Sequence, residues 1–118
     1  MENLMAVAIF PSIPEENLAE FKAIAQQMLI SLKEMDSVLR YEIFFSLDGT
    51  RCVVLEEYST PAGVFDHVRK HTEYLEQLTQ LGGQIEGSVF PLSSEGQEIQ
   101  EIRDHWDSTM HTYFAGKR

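Results

Sequence analysis

Only one cysteine occurs in the 118 residues, so no internal disulfide can staple the fold. Cys52 stands inside the apolar run Cys-Val-Val-Leu and reads as a small buried hydrophobe rather than a nucleophile. Basic residues are scarce as well: nine Lys and Arg face nineteen Asp and Glu, a formal charge of -10. That balance opposes the counterion release that drives nucleic-acid binding, and it disfavours an anionic membrane surface. No apolar run is long enough to span a bilayer, and the start Met-Glu-Asn-Leu has no basic leader region, so a cytoplasmic protein is expected. Phosphate-cradling glycine loops, nucleophile elbows and dinucleotide fingerprints are all missing, and no nucleotide cofactor is indicated.

What is present suits one soluble domain spanning residues 1–118. A chain of this length buries roughly two-thirds of its unfolded surface, and 43% hydrophobic with 24% charged residues is ordinary for a globular protein. Leu4 to Phe10 is a short apolar run closed by Pro11 and reads as a strand buried on both faces. Ser12 and Glu15 have capping-box spacing around Pro14, which announces a helix. Its apolar stripe is Leu18, Phe21, Ala25, Met28, Leu32 and Met35. From Val38 the period changes to two, with Leu39, Tyr41, Ile43, Phe45 and Leu47 on one face of a second strand.

Asp48-Gly49 is a hairpin turn signal, and Arg51 to Tyr58 is the antiparallel partner. Thr60 as N-cap and Pro61 at the first helical position then open one long helix that runs to Gly82-Gly83. Gln84 to Leu92 reads as a fourth strand. Ser94 and Gln97 cap a short helix with Ile99, Ile102 and Trp106 along one side, and Thr109 to Phe114 alternates as a fifth strand. The order β-α-β-β-α-β with an extra helix and edge strand is the ferredoxin-like α+β arrangement. Right-handed crossovers put both long helices on one sheet face. Phe44, Val53 and Leu55 fall on the other face, and such an apolar surface calls for a second copy packed sheet to sheet.

Over nearly its whole length the chain resembles the antibiotic biosynthesis monooxygenase-like family of dimeric α+β barrels. The element order carries the resemblance, together with the segment VVLEEYSTPAGVFDHVRKHTEYLEQL and the closing segment IRDHWDSTMHTYFAG. It implies a homodimer with a small-molecule pocket between sheet and helices in each subunit. Some members of that family oxygenate quinol-like or polyketide substrates without metal or flavin, an oxidoreductase chemistry that needs no cofactor. Deprotonation there makes an electron-rich anion that itself reacts with dioxygen. Other members degrade haem using an Asn on the first strand and a Trp on the second helix. Here Asn3 only precedes the strand and the second helix has no Trp, so haem cleavage is not expected.

The residues that could carry such chemistry cluster on one segment. On the long helix Val64, Val68, His71, Leu75 and Leu78 form the inward stripe, with His67 at its edge. Either imidazole, neutral near pH 7, could serve as general base toward a phenolic proton, and His67 and His71 are the catalytic candidates. Tyr41, Glu56, Tyr58 and Phe65 are candidates to hold the substrate. No third ligand or His-Glu-x-x-His pattern accompanies the two histidines, and no metal site is expected. His105 and His111 read as surface or dimer-contact residues. Rival readings are a non-catalytic ligand-binding barrel and an isomerase or degrading enzyme for a small carbonyl compound.

Overall fold

The computed structural model describes residues 3–92, 96–105 (the last without its side chain) and 107–117. Its elements are β1 (Leu4–Phe10), α1 (Leu18–Leu32) entered through a 3-10 turn at Glu15–Asn17, β2 (Val38–Phe45), β3 (Cys52–Tyr58), α2 (Pro61–Lys70), α3 (Thr72–Gly82), β4 (Glu86–Pro91), α4 (Gln97–His105) and β5 (Ser108–Met110). One mixed sheet has the order β2-β3-β1-β4-β5. β1 runs antiparallel between β3 and β4, and β5 joins parallel to β4. This is the expected ferredoxin-like α+β arrangement with an added helix and strand. Among the described residues no helix is long and apolar enough to cross a membrane.

Strand periodicity decides which side chains meet the helices. Leu4, Ala6, Ala8 and Phe10 of β1 face inward beside Cys52, Val54, Glu56 and Tyr58 of β3, as their pairing requires. Tyr41, Ile43 and Phe45 of β2 join them through partners Glu56, Val54 and Cys52. Two hydrophobic clusters form under the helices. The stripe Phe21, Ala25, Met28 and Leu32 of α1 packs with Phe10, Val54 and Leu78. Ile99 and Ile102 of α4 pack with Leu4, Tyr58, Val64 and Val89.

Several local expectations are corrected. Leu39 does not share the inner face of Tyr41 and Ile43, because the ladder shifts register between Val38 and Arg40 and turns Leu39 outward. The Ser12–Glu15 capping box does not form: Pro14, extended at φ -61 and ψ 147, starts the 3-10 turn with no side-chain cap. The hairpin takes four loop residues, closed by Ser46 and Arg51, and only Gly49 adopts a positive φ, 76°. β4 begins at Glu86 rather than Gln84.

β5 ends at Met110 rather than Phe114. Its partner strand closes at Pro91, whose nitrogen has no hydrogen to continue the ladder. The predicted cap Ser94, Trp106 and the His105 side chain lie outside the described residues.

Candidate functional site

Small residues on the inner sheet face leave a hollow where larger ones would have filled it. Ala8 of β1 pairs with Gly87 of β4, and Ala6 lies between Glu56 and Val89. Above them is a cavity of about 120 Å³ whose wall includes Ala6, Ala8, Tyr41, Glu56, His67 and Leu75. It lies where the two hydrophobic clusters meet, touching Phe10 of one and Val64 and Val89 of the other. An open trough of about 420 Å³ along α3 shares Val68 and Leu75 with it. Those two side chains stand between the cavity and the protein surface.

The helix that carries the histidines is broken at the second of them. His71 leaves helical geometry at φ -113 and ψ 23, so α2 and α3 are separate helices, contrary to the single helix expected from periodicity. The Thr72 hydroxyl donates to the Val68 carbonyl at 2.8 Å, one of the local competitions that bends a helix. Gly63 seats the start of α2 close to the sheet: a Cβ there would stand 3.1 Å from Ser37 Cβ and 3.2 Å from the Tyr58 ring. The consequence is that α2 buries Gly63, Val64 and His67. His67, expected at the edge of the stripe, is only 3% exposed, and His71 is 1% exposed.

The two imidazoles are bonded to each other. His67 Nδ1 and His71 Nδ1 are 2.9 Å apart, His71 Nδ1 is 3.0 Å from the His67 carbonyl oxygen, and His71 Nε2 is 2.9 Å from Ser31 Oγ of α1. Tyr41 meets the His67 ring edge-on at 5.2 Å, and the Tyr58 ring lies roughly parallel to it at 6.3 Å. Burial pushes His67 down to about 4, with His71 adding to the effect. Burial also holds His71 below the ordinary histidine range. Both rings are therefore neutral at pH 7.

Glu56 is the other buried ionisable group. It is 8% exposed on the inner face of β3 and accepts a hydrogen bond from the Tyr58 hydroxyl. Burial pushes its carboxyl up to about 7, although the Tyr58 bond works in the opposite direction. Tyr41 and Tyr58 are both held protonated, each by burial first and by the Glu56 charge second. Cys52, buried on the same face, has its thiol pushed up to about 11 by burial, as suits a packing residue.

Of the candidates named from sequence, Tyr41, Glu56 and His67 share the cavity wall. His71 stands behind His67, and Tyr58 stands behind Glu56 as its hydrogen-bond donor. Phe65 packs against the cluster of Leu4, Tyr58 and Val64. His111 stacks on Phe90 with centroids 4.3 Å apart, away from these groups. Sequence reasoning missed Ser31, whose only signal is its place beside the buried Leu32. It also missed the small residues that open the cavity. Among the described residues no three His, Cys, Asp or Glu side chains converge as metal ligands would.

No protein-family model matches the sequence, and no curated protein matches it. Solved structures do. MupZ from Pseudomonas fluorescens superposes with a TM-score of 0.84 at 20% identity, covering 100% of this chain and 95% of that one. SnoaB, a cofactor-independent oxygenase from Streptomyces nogalater, gives 0.66 at 13% identity over 76% of this chain and 92% of its own. A provisionally assigned antibiotic biosynthesis monooxygenase from Nitrosomonas europaea gives 0.68 at 16% identity over 76% and 89%. The chain thus has the fold of the antibiotic biosynthesis monooxygenase-like proteins.

Proposed function

We propose that the protein is a cofactor-independent oxygenase acting on a small quinol-like or enolic molecule held in the cavity between sheet and helices. One observation carries this reading: Tyr41, Glu56 and His67, three groups able to donate or take a proton, meet on the wall of a space lined, apart from Ser88 and Ser108, by apolar residues and a glycine. Removing a proton from a phenol or an activated methylene leaves an electron-rich anion. In a site that excludes bulk water, fixed donors stabilise that charge more strongly than they would in solution. The anion then reduces dioxygen directly; conversion of a methylene to a carbonyl consumes one dioxygen and releases one water, with all four electrons drawn from the substrate. The fold shared with SnoaB, described as a cofactor-independent oxygenase, is in keeping with this.

His67 and His71 are the catalytic pair of this proposal. His67 touches substrate, and His71, bonded to Ser31, fixes the His67 ring. Tyr41 and Glu56 contact the substrate, and Tyr58 orients Glu56. Cavity size favours a small substrate: about 120 Å³ is below the roughly 300 to 1,000 Å³ of drug-sized sites. A single ring fits; a polycycle would have to push Val68 and Leu75 apart. A homodimer belongs to the same proposal. The outer sheet face carries Met5, Val7, Ile9, Phe44, Val53 and Leu55, with Phe44 51% exposed, and a second copy would cover it.

Oxygen uptake by metal-stripped protein over a panel of single-ring quinols and polyphenols tests the reading. Uptake of one dioxygen per substrate, abolished in His67→Ala, is the expected result. Conversion of a small carbonyl compound with no oxygen consumed would replace it with the isomerase reading, since the same proton-transfer groups serve both.

A further inference from the structure

Within that reading of the cavity, we infer that Glu56 takes the substrate proton while His67 meets the substrate as a neutral N–H donor from Nε2. The division follows from hydrogen-bond direction. A carbonyl oxygen only accepts, so His71 Nδ1, 3.0 Å from the His67 carbonyl, must carry a hydrogen. Two N–H groups cannot point at each other across 2.9 Å, so His67 Nδ1 is bare and accepts from the same hydrogen. A neutral imidazole bare at Nδ1 has its proton on Nε2. His71, protonated at Nδ1, is in turn bare at Nε2 and accepts from the Ser31 hydroxyl at 2.9 Å. The chain therefore runs in one direction, from Ser31 to His71 to His67, and it ends at an N–H.

Where that N–H points is set by elimination. His67 Nε2 has no bonding partner among the described residues, yet no side-chain nitrogen or oxygen among them is both buried and unpartnered. His67 lines the cavity, so Nε2 opens onto it. A second proton on His67 would have to enter at Nδ1, against the His71 N–H. It would break the relay, which agrees with a ring held down to about 4 by burial and by His71. His67 is thus a poor base at neutral pH but a well-held donor for an oxyanion, the role a neutral imidazole can fill when its charged form is disfavoured.

Glu56 has the complementary arrangement. One carboxyl oxygen, Oε1, accepts from Tyr58; Oε2 has no protein partner among the described residues and, by the same elimination, reaches the cavity. The ionisable groups around it are Tyr41 from β2, Tyr58 on β3 and His67 from α2, while β1 opposes it with Ala6. Both tyrosines keep their protons and His67 is neutral, so Glu56 alone changes charge near pH 7, where burial places it. In the step itself the substrate C–H or O–H bond breaks and an O–H bond forms at Glu56 Oε2. The electron pair stays on the substrate, whose oxyanion accepts hydrogen bonds from His67 Nε2–H and from Tyr41.

Nitrogen-15 correlation spectra of the wild-type protein at pH 7, with a carbon-13 pH titration of its carboxyl groups, test the assignment without any turnover. The His67 ring is expected in the Nε2–H form, with the Glu56 carboxyl carbon titrating near pH 7. A proton on His67 Nδ1, or a Glu56 titration below pH 5, would overturn the inference even in an active enzyme. With the quinol that supports oxygen uptake, Glu56→Gln should lower kcat by roughly 100-fold or more and remove the acidic limb of the kcat profile. His67→Gln should lower kcat while leaving that limb in place; loss of the limb in His67→Gln instead would return the base role to His67. If no compound in the panel consumes oxygen, the oxygenase reading fails, while the spectra still decide which group holds the proton.

Discussion

Glu56 and Tyr58 stand two positions apart on β3, and the Tyr58 hydroxyl donates to Glu56 Oε1 on a sheet face closed to water. Strand geometry alone puts both side chains on that face. The bond favours the charged carboxylate, while burial favours the neutral acid, and burial is the stronger of the two. A hydrogen bond to an ionised group contributes about 1.5–3 kcal/mol and one between neutral groups about 0.5–1.5 kcal/mol. Tyr58→Phe should therefore cost more stability at pH 8 than at pH 5, and should move the Glu56 titration above its wild-type value. Urea unfolding at the two pH values checks this; equal losses would mean that Glu56 does not ionise beside Tyr58.

Opposed linkage from Glu56 and His67 makes a second prediction. Glu56 holds its proton to about 7 when folded and releases it near 4.5 when unfolded, so its contribution is present at low pH and is lost as pH rises from 4.5 to 7. His67 is neutral down to about 4 when folded but charges below 6.5 when unfolded, so its contribution is lost as pH falls from 6.5 to 4. Each effect is on the order of 3 kcal/mol. Between pH 4.5 and 6.5 these two slopes oppose each other and largely cancel, so wild-type stability should show only the shallow rise that His71 adds. Glu56→Gln should leave a stability that rises with pH, with His71 adding to the rise, and His67→Gln should leave one with a much weaker rise or a fall. Urea midpoints measured across this range test both signs.

How far the sequence carried can be judged from particular residues. Stripe and alternation patterns located every strand and the stripe of α1, because burial of Phe21, Met28, Val54 and Tyr58 is itself a period-3.6 or period-2 signal. The break at His71 was not legible: it goes with the Thr72 hydroxyl bonded back to the Val68 carbonyl, which does not alter the hydrophobic period. Nor was the depth of His67, since a flank that faces solvent on a lone helix is buried here against Tyr41, Tyr58 and His71. Tyr41, Glu56 and His67 could be named as candidates from their types and phases. That they share one cavity depends on Ala6, Ala8 and Gly87 being small, an absence of volume that leaves no periodic trace.

The cavity itself gives a third prediction. Ala8 is partly buried on its wall, and a leucine there would project into space that no other side chain occupies. Ala8→Leu should change unfolding stability by no more than about 1–3 kcal/mol in either direction, because filling a void offsets the strain of added bulk. Oxygen uptake should fall at least about tenfold through a higher KM, since one misplaced group in a pocket is worth about 1–3 kcal/mol. Unchanged uptake with the same quinol would move the substrate site elsewhere, the trough beside Thr72 and Glu76 being the next place to look.

The outer face of the sheet supplies the last prediction. Phe44 pairs with Val53 across β2 and β3, while Ile9 of β1 faces Val53 from the other side, so these three side chains form an apolar row on the face away from the helices. Phe44 is 51% exposed and Met5 37% exposed on that face of the single chain. At about 25 cal/mol per Å² of apolar surface removed from water, covering such a face in a sheet-to-sheet pair offsets the loss of translational freedom only if most of the row is buried together. A charge at its centre should therefore be more disruptive than one at its rim. Val53→Lys is expected to convert a homodimer into monomers at micromolar concentration, while Glu42→Lys, at the edge beside Arg40, should leave assembly nearly unchanged. Sedimentation velocity decides between them: a wild-type protein that is already monomeric would remove the dimer proposal, and a dimer that survives Val53→Lys would place the contact elsewhere on the surface.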